Sequence, residues 1–112
     1  MKVAVFGLGY VGTVTAACVA RQGHDVWGVD VDADKVRTVA GGESPVVEPG
    51  LQELIASAVQ AGSLHATTDM RVALDLADIA IVSSTEPEVV AAVRATPPAL
   101  VIDLDGRLDL AG

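Results

Sequence analysis

The sequence predicts an α/β fold built on one doubly wound parallel sheet of about five strands in the order 3-2-1-4-5. Two features of the chain predict it. Short runs rich in Val, Ile, Ala and Leu alternate with segments of helical periodicity, as is typical of parallel strands joined by right-handed helical crossovers. Hydrophobic residues make up 51% of the chain and aromatic residues only 3%, which suits aliphatic strands buried on both faces.

The predicted strands are short apolar runs that end at glycine or at polar residues. They comprise residues 3–6, 25–30, 64–67, 79–82 and 100–103.

Helices are predicted from apolar spacing together with start and stop signals. Five helices are predicted, at residues 13–22, 32–40, 50–61, 69–77 and 85 to about 95. The second, fourth and fifth ranges begin at the predicted cap residue. Asp32 and Asp69 are N-cap residues, and Thr85-Glu86-Pro87-Glu88 matches a capping box with proline in the first turn. The 104–112 tail shows no clear element.

Length and charge restrict the function classes. The chain has 112 residues and a formal net charge of −8, so we expect a single domain, residues 1–112. An acidic chain without a basic stripe is not expected to bind nucleic acid. Its apolar runs fall far short of the ~18 residues of a membrane helix, so we expect no membrane association and a cytoplasmic location.

Cysteine and histidine content predicts no metal site. Cys18 is the only cysteine, which excludes an internal disulfide and a cysteine cage for zinc. His24 and His65 do not stand at a ligand spacing. We expect Cys18 to be a core residue at a small-residue packing position of the first helix.

The turn after the first strand carries the clearest functional signal. Its sequence, Gly7-Leu8-Gly9-Tyr10-Val11-Gly12, follows a strand and opens a helix, which is the context that a dinucleotide-binding motif requires. Gly7 permits the tight turn, Gly9 allows a pyrophosphate to approach the backbone, and Gly12 allows close packing of helix and strand. The N–H groups at the helix start then face the phosphates.

Asp30 is the acidic residue that completes the dinucleotide-binding motif. It lies at the end of the second strand, 18 residues after Gly12. A carboxylate there accepts hydrogen bonds from an adenine ribose and repels a 2′-phosphate, so it favours NAD over NADP. Alternatively, Asp30 only caps the turn into the next helix. Lys35, one turn into that helix, reaches the ribose or phosphate from the rim, or is a solvated surface lysine.

Two segments are predicted to meet at one site. In a sheet of order 3-2-1-4-5, ligands bind beyond the carboxyl ends of strands 1 and 4, where the winding direction reverses. The glycine turn (residues 7–12) follows strand 1, and residues 83–85 follow strand 4. This Rossmann-like arrangement places both segments at the same crevice.

Residues 1–78 resemble the N-terminal NAD-binding domain of the UDP-glucose/GDP-mannose 6-dehydrogenase family. The resemblance is carried by Phe-Gly-Leu-Gly-Tyr-Val-Gly at 6–12, Gly-His-Asp-Val at 23–26, Gly-Val-Asp-Val-Asp at 28–32, Ser-Pro-Val-Val-Glu-Pro-Gly-Leu at 44–51 and Thr-Thr-Asp at 67–69. It implies that Tyr10, Val11, Asp30 and Lys35 contact NAD, in addition to the glycines.

The chain also departs from the family pattern. The family ends its fourth strand in Gly-Thr-Pro, whose threonine touches the cofactor, whereas this sequence places Glu86 there, so Thr85 would have to take that role. Family members use a cysteine thiolate to hold their covalent intermediates, and that segment is absent here. From Ile79 onward the sequence looks more like the closing part of the family's C-terminal nucleotide-sugar domain, as if the chain were truncated or had lost its middle.

Three functions follow from this resemblance. The first is an NAD-binding module with no catalytic residue of its own. The second is a dehydrogenase whose nucleotide-sugar pocket and nucleophile come from a partner chain. The third is a structural or regulatory remnant that no longer binds the cofactor. A homo-oligomer, associated through the sheet edge or an apolar helix face, is compatible with each of them.

Overall fold

In a computed structural model, residues 1–84 and 86–104 are described, and they form five strands and five helices that alternate along most of the chain. The elements are β1 (Lys2–Phe6), α1 (Tyr10–Arg21), β2 (Asp25–Val29), α2 (Ala33–Ala40), α3 (Leu51–Gln60), β3 (Leu64–Thr67), α4 (Met70–Leu76), β4 (Ile79–Val82), α5 (Pro87–Ala95) and β5 (Leu100–Asp103). No helix within the described ranges has the length and apolar character needed to cross a membrane.

The strands form one parallel sheet in the order β3-β2-β1-β4-β5. β1 is central: Val5 lies opposite Gly28 of β2 on one side and opposite Ile81 of β4 on the other. The predicted fold class and strand order are therefore confirmed.

Side chains alternate between two hydrophobic layers. Val3 and Val5 point toward one layer, which α1, α2 and α3 cover, and Ala4 and Phe6 point toward the other, which α4 and α5 cover. This alternation follows from the two-residue period of a strand. Because both faces of β1 are covered, its carboxyl end is buried on both sides of the sheet.

The polar caps explain where several helices begin. The Asp32 carboxylate accepts a hydrogen bond from Asp34 N at 2.9 Å, and the Asp69 carboxylate accepts from Arg71 N and Val72 N at 3.1 and 3.2 Å. These two predicted caps are confirmed. Helix α1 begins at Tyr10, three residues before the predicted start.

The start of α5 lies one residue later than predicted. The helix begins at Pro87, and its N-cap is Glu86, whose side chain makes no cap hydrogen bond. The reason is steric, because the residue before a proline is driven into extended backbone, and Glu86 has φ −60° and ψ 130°. Thr85 lies outside the described residues.

Cys18 also differs from the expectation, because it is exposed rather than a core residue. The residues that α1 buries are Gly12, Thr13, Ala16, Ala17 and Ala20. In a helix composed largely of small residues, the apolar pattern does not distinguish the inner face from the outer one.

Candidate functional site

The glycine turn is pressed against the carboxyl end of β4. Gly7 has a φ of +102°, a region that favours glycine. A Cβ atom at this position would lie 3.1 Å from the Ser83 carbonyl carbon and from the Ser84 Cβ. The Gly7 N–H donates to the Val29 carbonyl oxygen at 2.8 Å, so the turn is also fixed to the end of β2.

The other two glycines face opposite environments. A Cβ added to Gly12 would overlap the carbonyl oxygen of Gly7, so only glycine allows α1 to approach the turn this closely. A Cβ added to Gly9 would meet no atom within 4 Å. The backbone at Gly9 therefore borders open space, as a backbone that a ligand approaches must.

Helix α1 starts at this open position. Gly9 is its N-cap residue, no side chain caps the helix, and the Gly9 carbonyl accepts from Thr13 N at 3.0 Å. The first N–H groups of a helix have no intrahelical partner and carry partial positive charge. An anion at Gly9 would meet these donors even though the chain as a whole is acidic.

Asp30 lies one residue past β2 and ties two backbone segments together. Its Oδ2 accepts from Leu8 N at 2.7 Å, and its Oδ1 accepts from Asp32 N at 2.9 Å. The second bond is the local turn that the sequence left open as an alternative. The first bond was not predicted, and it holds the glycine turn next to the carboxylate. A carboxylate offers about four acceptor positions, so capacity for ribose hydroxyls remains.

A cavity of about 240 Å³ opens at this point, and its lining is mostly polar. Its lining residues come from the carboxyl ends of three strands and the starts of three helices: Gly7, Gly9, Asp30, Val31, Lys35, Ser83, Ser84, Glu86 and Val89. Four of the predicted site residues, Gly7, Gly9, Asp30 and Lys35, thus meet here. A larger cavity of about 610 Å³ lies between α4 and α5 and contains none of the predicted site residues.

Three other predicted site residues, Tyr10, Val11 and Gly12, do not line this cavity. Tyr10 and Val11 are exposed, at 51% and 53% of their full surface, and Gly12 is buried beneath the turn. Thr85 is outside the part of the chain that the structure describes. Glu86, the carboxylate that departs from the family pattern, does line the cavity.

Tyr10 makes a contact that sequence reasoning missed. Its hydroxyl donates a hydrogen bond to the Glu48 carboxylate, on the connection between α2 and α3. That hydrogen bond, with smaller contributions from burial and from the Glu48 charge, raises the pKa of the Tyr10 phenol above its ordinary value. No spacing signal reveals this pair, because its members are 38 positions apart.

Ser83 and Ser84 also line the cavity. The sequence placed them at the predicted crevice but gave them no role in binding. Ser83 N donates to the Phe6 carbonyl at 2.8 Å, and Ser84 Oγ accepts from Glu86 N at 3.1 Å. The signal that finds them is their position directly after β4, at the point where the winding of the sheet reverses.

The chain is similar in sequence to a known family of dehydrogenases. The model of the UDP-glucose/GDP-mannose dehydrogenase family, NAD binding domain, matches residues 1–94. A GDP-mannose 6-dehydrogenase from Pseudomonas savastanoi pv. phaseolicola is 42% identical over 87 residues, which is 78% of this chain and 20% of that protein. A UDP-glucose 6-dehydrogenase from Rhizobium meliloti is 40% identical over the same length and coverage. The chain thus spans about one fifth of these curated relatives.

Solved structures of dehydrogenases of this family have a similar fold. The crystal structure of a ternary complex of GDP-mannose dehydrogenase from Pseudomonas aeruginosa matches with a TM-score of 0.77 and 36% identity, over 84% of this chain and 26% of that one. A UDP-D-ManNAc dehydrogenase from Pyrococcus horikoshii matches with a TM-score of 0.83 and 26% identity, over 92% of this chain and 28% of that one.

The family match corrects one expectation. It runs through β4 and into α5, so residues 79–94 match the NAD-binding domain and not a C-terminal nucleotide-sugar domain. The open backbone at Gly9, the uncapped start of α1 and the Asp30 carboxylate fit the cofactor that gives this domain its name. The chain belongs to the UDP-glucose/GDP-mannose dehydrogenase family and corresponds to its NAD-binding domain.

Proposed function

We propose that this chain binds NAD in the cavity at the carboxyl ends of β1, β2 and β4, and that it does not catalyse a reaction alone. The observation that carries the proposal is the open space at Gly9, directly in front of the first N–H groups of α1. A pyrophosphate placed there would receive backbone hydrogen bonds and the favourable end of the helix dipole. Gly7, Gly12, Tyr10 and Val11 would then shape this pyrophosphate subsite.

Asp30 is the proposed ribose residue. Its carboxylate is half-buried, lines the cavity, and keeps free lone pairs after its bonds to Leu8 N and Asp32 N. Its negative charge would repel a 2′-phosphate, so NAD is favoured over NADP. Lys35 lines the same cavity and is the proposed cationic contact at the rim.

Glu86 opposes this binding. Glu86 is one of the residues that line the cavity that would receive the cofactor's phosphates, and like charges at short range repel even when partly screened by solvent. We infer that NAD binds more weakly here than it would with a neutral side chain at position 86.

A second candidate function is a dehydrogenase completed by another chain or domain. The relatives are named GDP-mannose 6-dehydrogenase and UDP-glucose 6-dehydrogenase, and this chain spans only about one fifth of them. Exposed apolar side chains support a missing partner: Tyr10 and Val11 stand at the start of α1, and Leu100 and Ile102 stand on β5 at the sheet edge. The same edge is the proposed contact of a homo-oligomer. A nucleotide-sugar substrate is proposed only for such an assembly.

A cytoplasmic location is part of the same proposal. Cys18 is an exposed free thiol, and unpaired thiols are typical of proteins in reducing compartments.

Calorimetric titration of NAD into the purified chain tests the binding proposal. Asp30→Asn keeps an oxygen that can accept from Leu8 N but removes the charge, so we expect it to weaken NAD by about tenfold, the value of a lost hydrogen bond to a charged group. Asp75→Asn is the matched control, because Asp75 is exposed on α4 and the net-charge change is identical. If the chain bound no NAD at millimolar cofactor, the proposal would be wrong, and the chain would instead be a structural or regulatory remnant that no longer binds the cofactor.

A further inference from the structure

The Tyr10–Glu48 pair joins the proposed cofactor site to a distant segment of the chain. Tyr10 is the first residue of α1, and Glu48 lies in the connection between α2 and α3, residues 41–50. Tyr10 N is therefore one of the helix-start donors that face the open space at Gly9. Any shift of Tyr10 would move one of those donors.

The base of the 41–50 segment is fixed without Tyr10. The Gln52 side chain accepts from Ser44 N at 2.9 Å and donates to the Gly42 carbonyl at 3.1 Å, and Val46 packs against the core. The following residues, 47–50, are all exposed, and Val47 keeps 96% of its surface. The Tyr10 hydroxyl is thus the side-chain donor that joins this exposed end to α1.

The charge on Glu48 makes its position important. The partial positive charge at a helix N-terminus attracts any nearby anion, so a freely moving Glu48 carboxylate would compete with a phosphate for the N–H groups of α1. In the structure the carboxylate is bound instead to the hydroxyl at the far end of the Tyr10 side chain. The pair removes a competitor and fixes a donor at the same time.

We propose that Glu48 is a positioning residue for the cofactor site, which acts through the Tyr10 hydroxyl to hold the first turn of α1 and to keep residues 47–50 away from the place of the dinucleotide diphosphate. This inference rests on the proposed NAD binding. Glu48 itself touches no cofactor in this scheme.

Removal of either partner should weaken NAD binding. We expect Tyr10→Phe and Glu48→Ala each to weaken it by about threefold to tenfold, as is usual for one hydrogen bond, and the double variant to lose no more than either single one. Glu48→Gln keeps an acceptor oxygen and should bind NAD nearly as the wild type does. Glu53→Ala is the control, because Glu53 is an exposed acid on α3 and its removal changes the net charge equally.

The direction of the effect separates this role from a simple charge effect. Removal of a negative charge near an anion should strengthen NAD binding, so tighter binding by Glu48→Ala would overturn the proposal. Additive losses in the double variant, or wild-type affinity in Tyr10→Phe, would overturn it as well while NAD binding itself stands. A wild-type chain that does not bind NAD would overturn both proposals together.

The contact can be measured without NAD. Tyr10 is the only tyrosine, so the phenolate absorbance in an alkaline titration reports its ionisation alone. The Glu48 carboxylate raises the pKa of Tyr10, and the contribution of the pair to stability is therefore present below the ordinary tyrosine pKa and lost as the pH rises through the folded-state value. Glu48→Ala should lower the Tyr10 pKa and Glu53→Ala should not; an unchanged titration in Glu48→Ala would show that the contact is absent in solution.

Discussion

The two sides of the central strand β1 differ in how completely they are covered. On the side of β2, Val26 and Val29 are fully buried, and the helices of one layer extend over β3. On the side of β4, the edge strand β5 leaves Leu100 and Ile102 exposed at 50% and 40%. On the β2–β3 side the apolar side chains are covered by the chain's own helices. On the β4–β5 side aliphatic side chains stay exposed, as on a sheet that another element would cover.

The same difference exists within the site. The β2 side provides Asp30, which is fixed by two backbone hydrogen bonds and tied to the glycine turn. The β4 side provides Ser83 and Ser84, which pack against Gly7, and also Glu86, which is exposed and brings an unfavourable charge. We therefore expect cofactor recognition to depend mainly on the β2 side, and the β4 side to modulate it.

Substitution of two register partners tests the difference in packing most directly. Ile81 of β4 and Ile102 of β5 are paired neighbours, but Ile81 is only 8% exposed. We expect Ile81→Ala to lower the free energy of unfolding by about 2–5 kcal/mol and Ile102→Ala by less than about 1 kcal/mol, measured by urea denaturation. Equal losses would contradict the comparison and indicate that β5 is covered in solution; sedimentation at increasing protein concentration would then show an oligomer.

Substitutions at two glycines of the same turn should affect two different quantities, the stability of the fold and the affinity for NAD. A Cβ at Gly12 would overlap the Gly7 carbonyl oxygen, so we expect Gly12→Ala to destabilise the fold by about 1–3 kcal/mol, as overpacking does. A Cβ at Gly9 would meet no neighbouring atom, so Gly9→Ala should leave the urea midpoint nearly unchanged. It should nevertheless weaken NAD binding by about tenfold, because the methyl group would occupy the space of the pyrophosphate. If Gly9→Ala bound NAD with full affinity, the proposal that the pyrophosphate lies at Gly9 would be wrong.

Much of the fold could be predicted because it depends on local chemistry. Strands such as β4 are read from continuous aliphatic runs, and the starts of α2 and α4 from the Asp32 and Asp69 caps. The exposure of Cys18 could not be read, because helix α1 is rich in small residues. The start of α5 falls one residue later than predicted, because Pro87 holds Glu86 in extended backbone.

The site could be predicted in part for a similar reason. The glycine turn and Asp30 form a pattern of fixed spacing whose geometry follows from the strand–turn–helix connection. The Asp30–Leu8 and Glu48–Tyr10 hydrogen bonds join residues 22 and 38 positions apart. Pairs of this kind depend on how loops fold back over the strand ends, which no periodicity encodes.

The smallest expected effect concerns the second side of the site. Glu86→Gln removes the negative charge of a residue that lines the cavity while it keeps the size of the side chain. Because Glu86 is exposed and solvent screens its charge, we expect NAD to bind only about twofold to fivefold more tightly, with a smaller difference at high salt. Glu88→Gln, an exposed acid in the first turn of α5, is the matched control. Equal effects of the two variants would mean that only the overall charge matters, and that the β4 side does not modulate recognition through position 86.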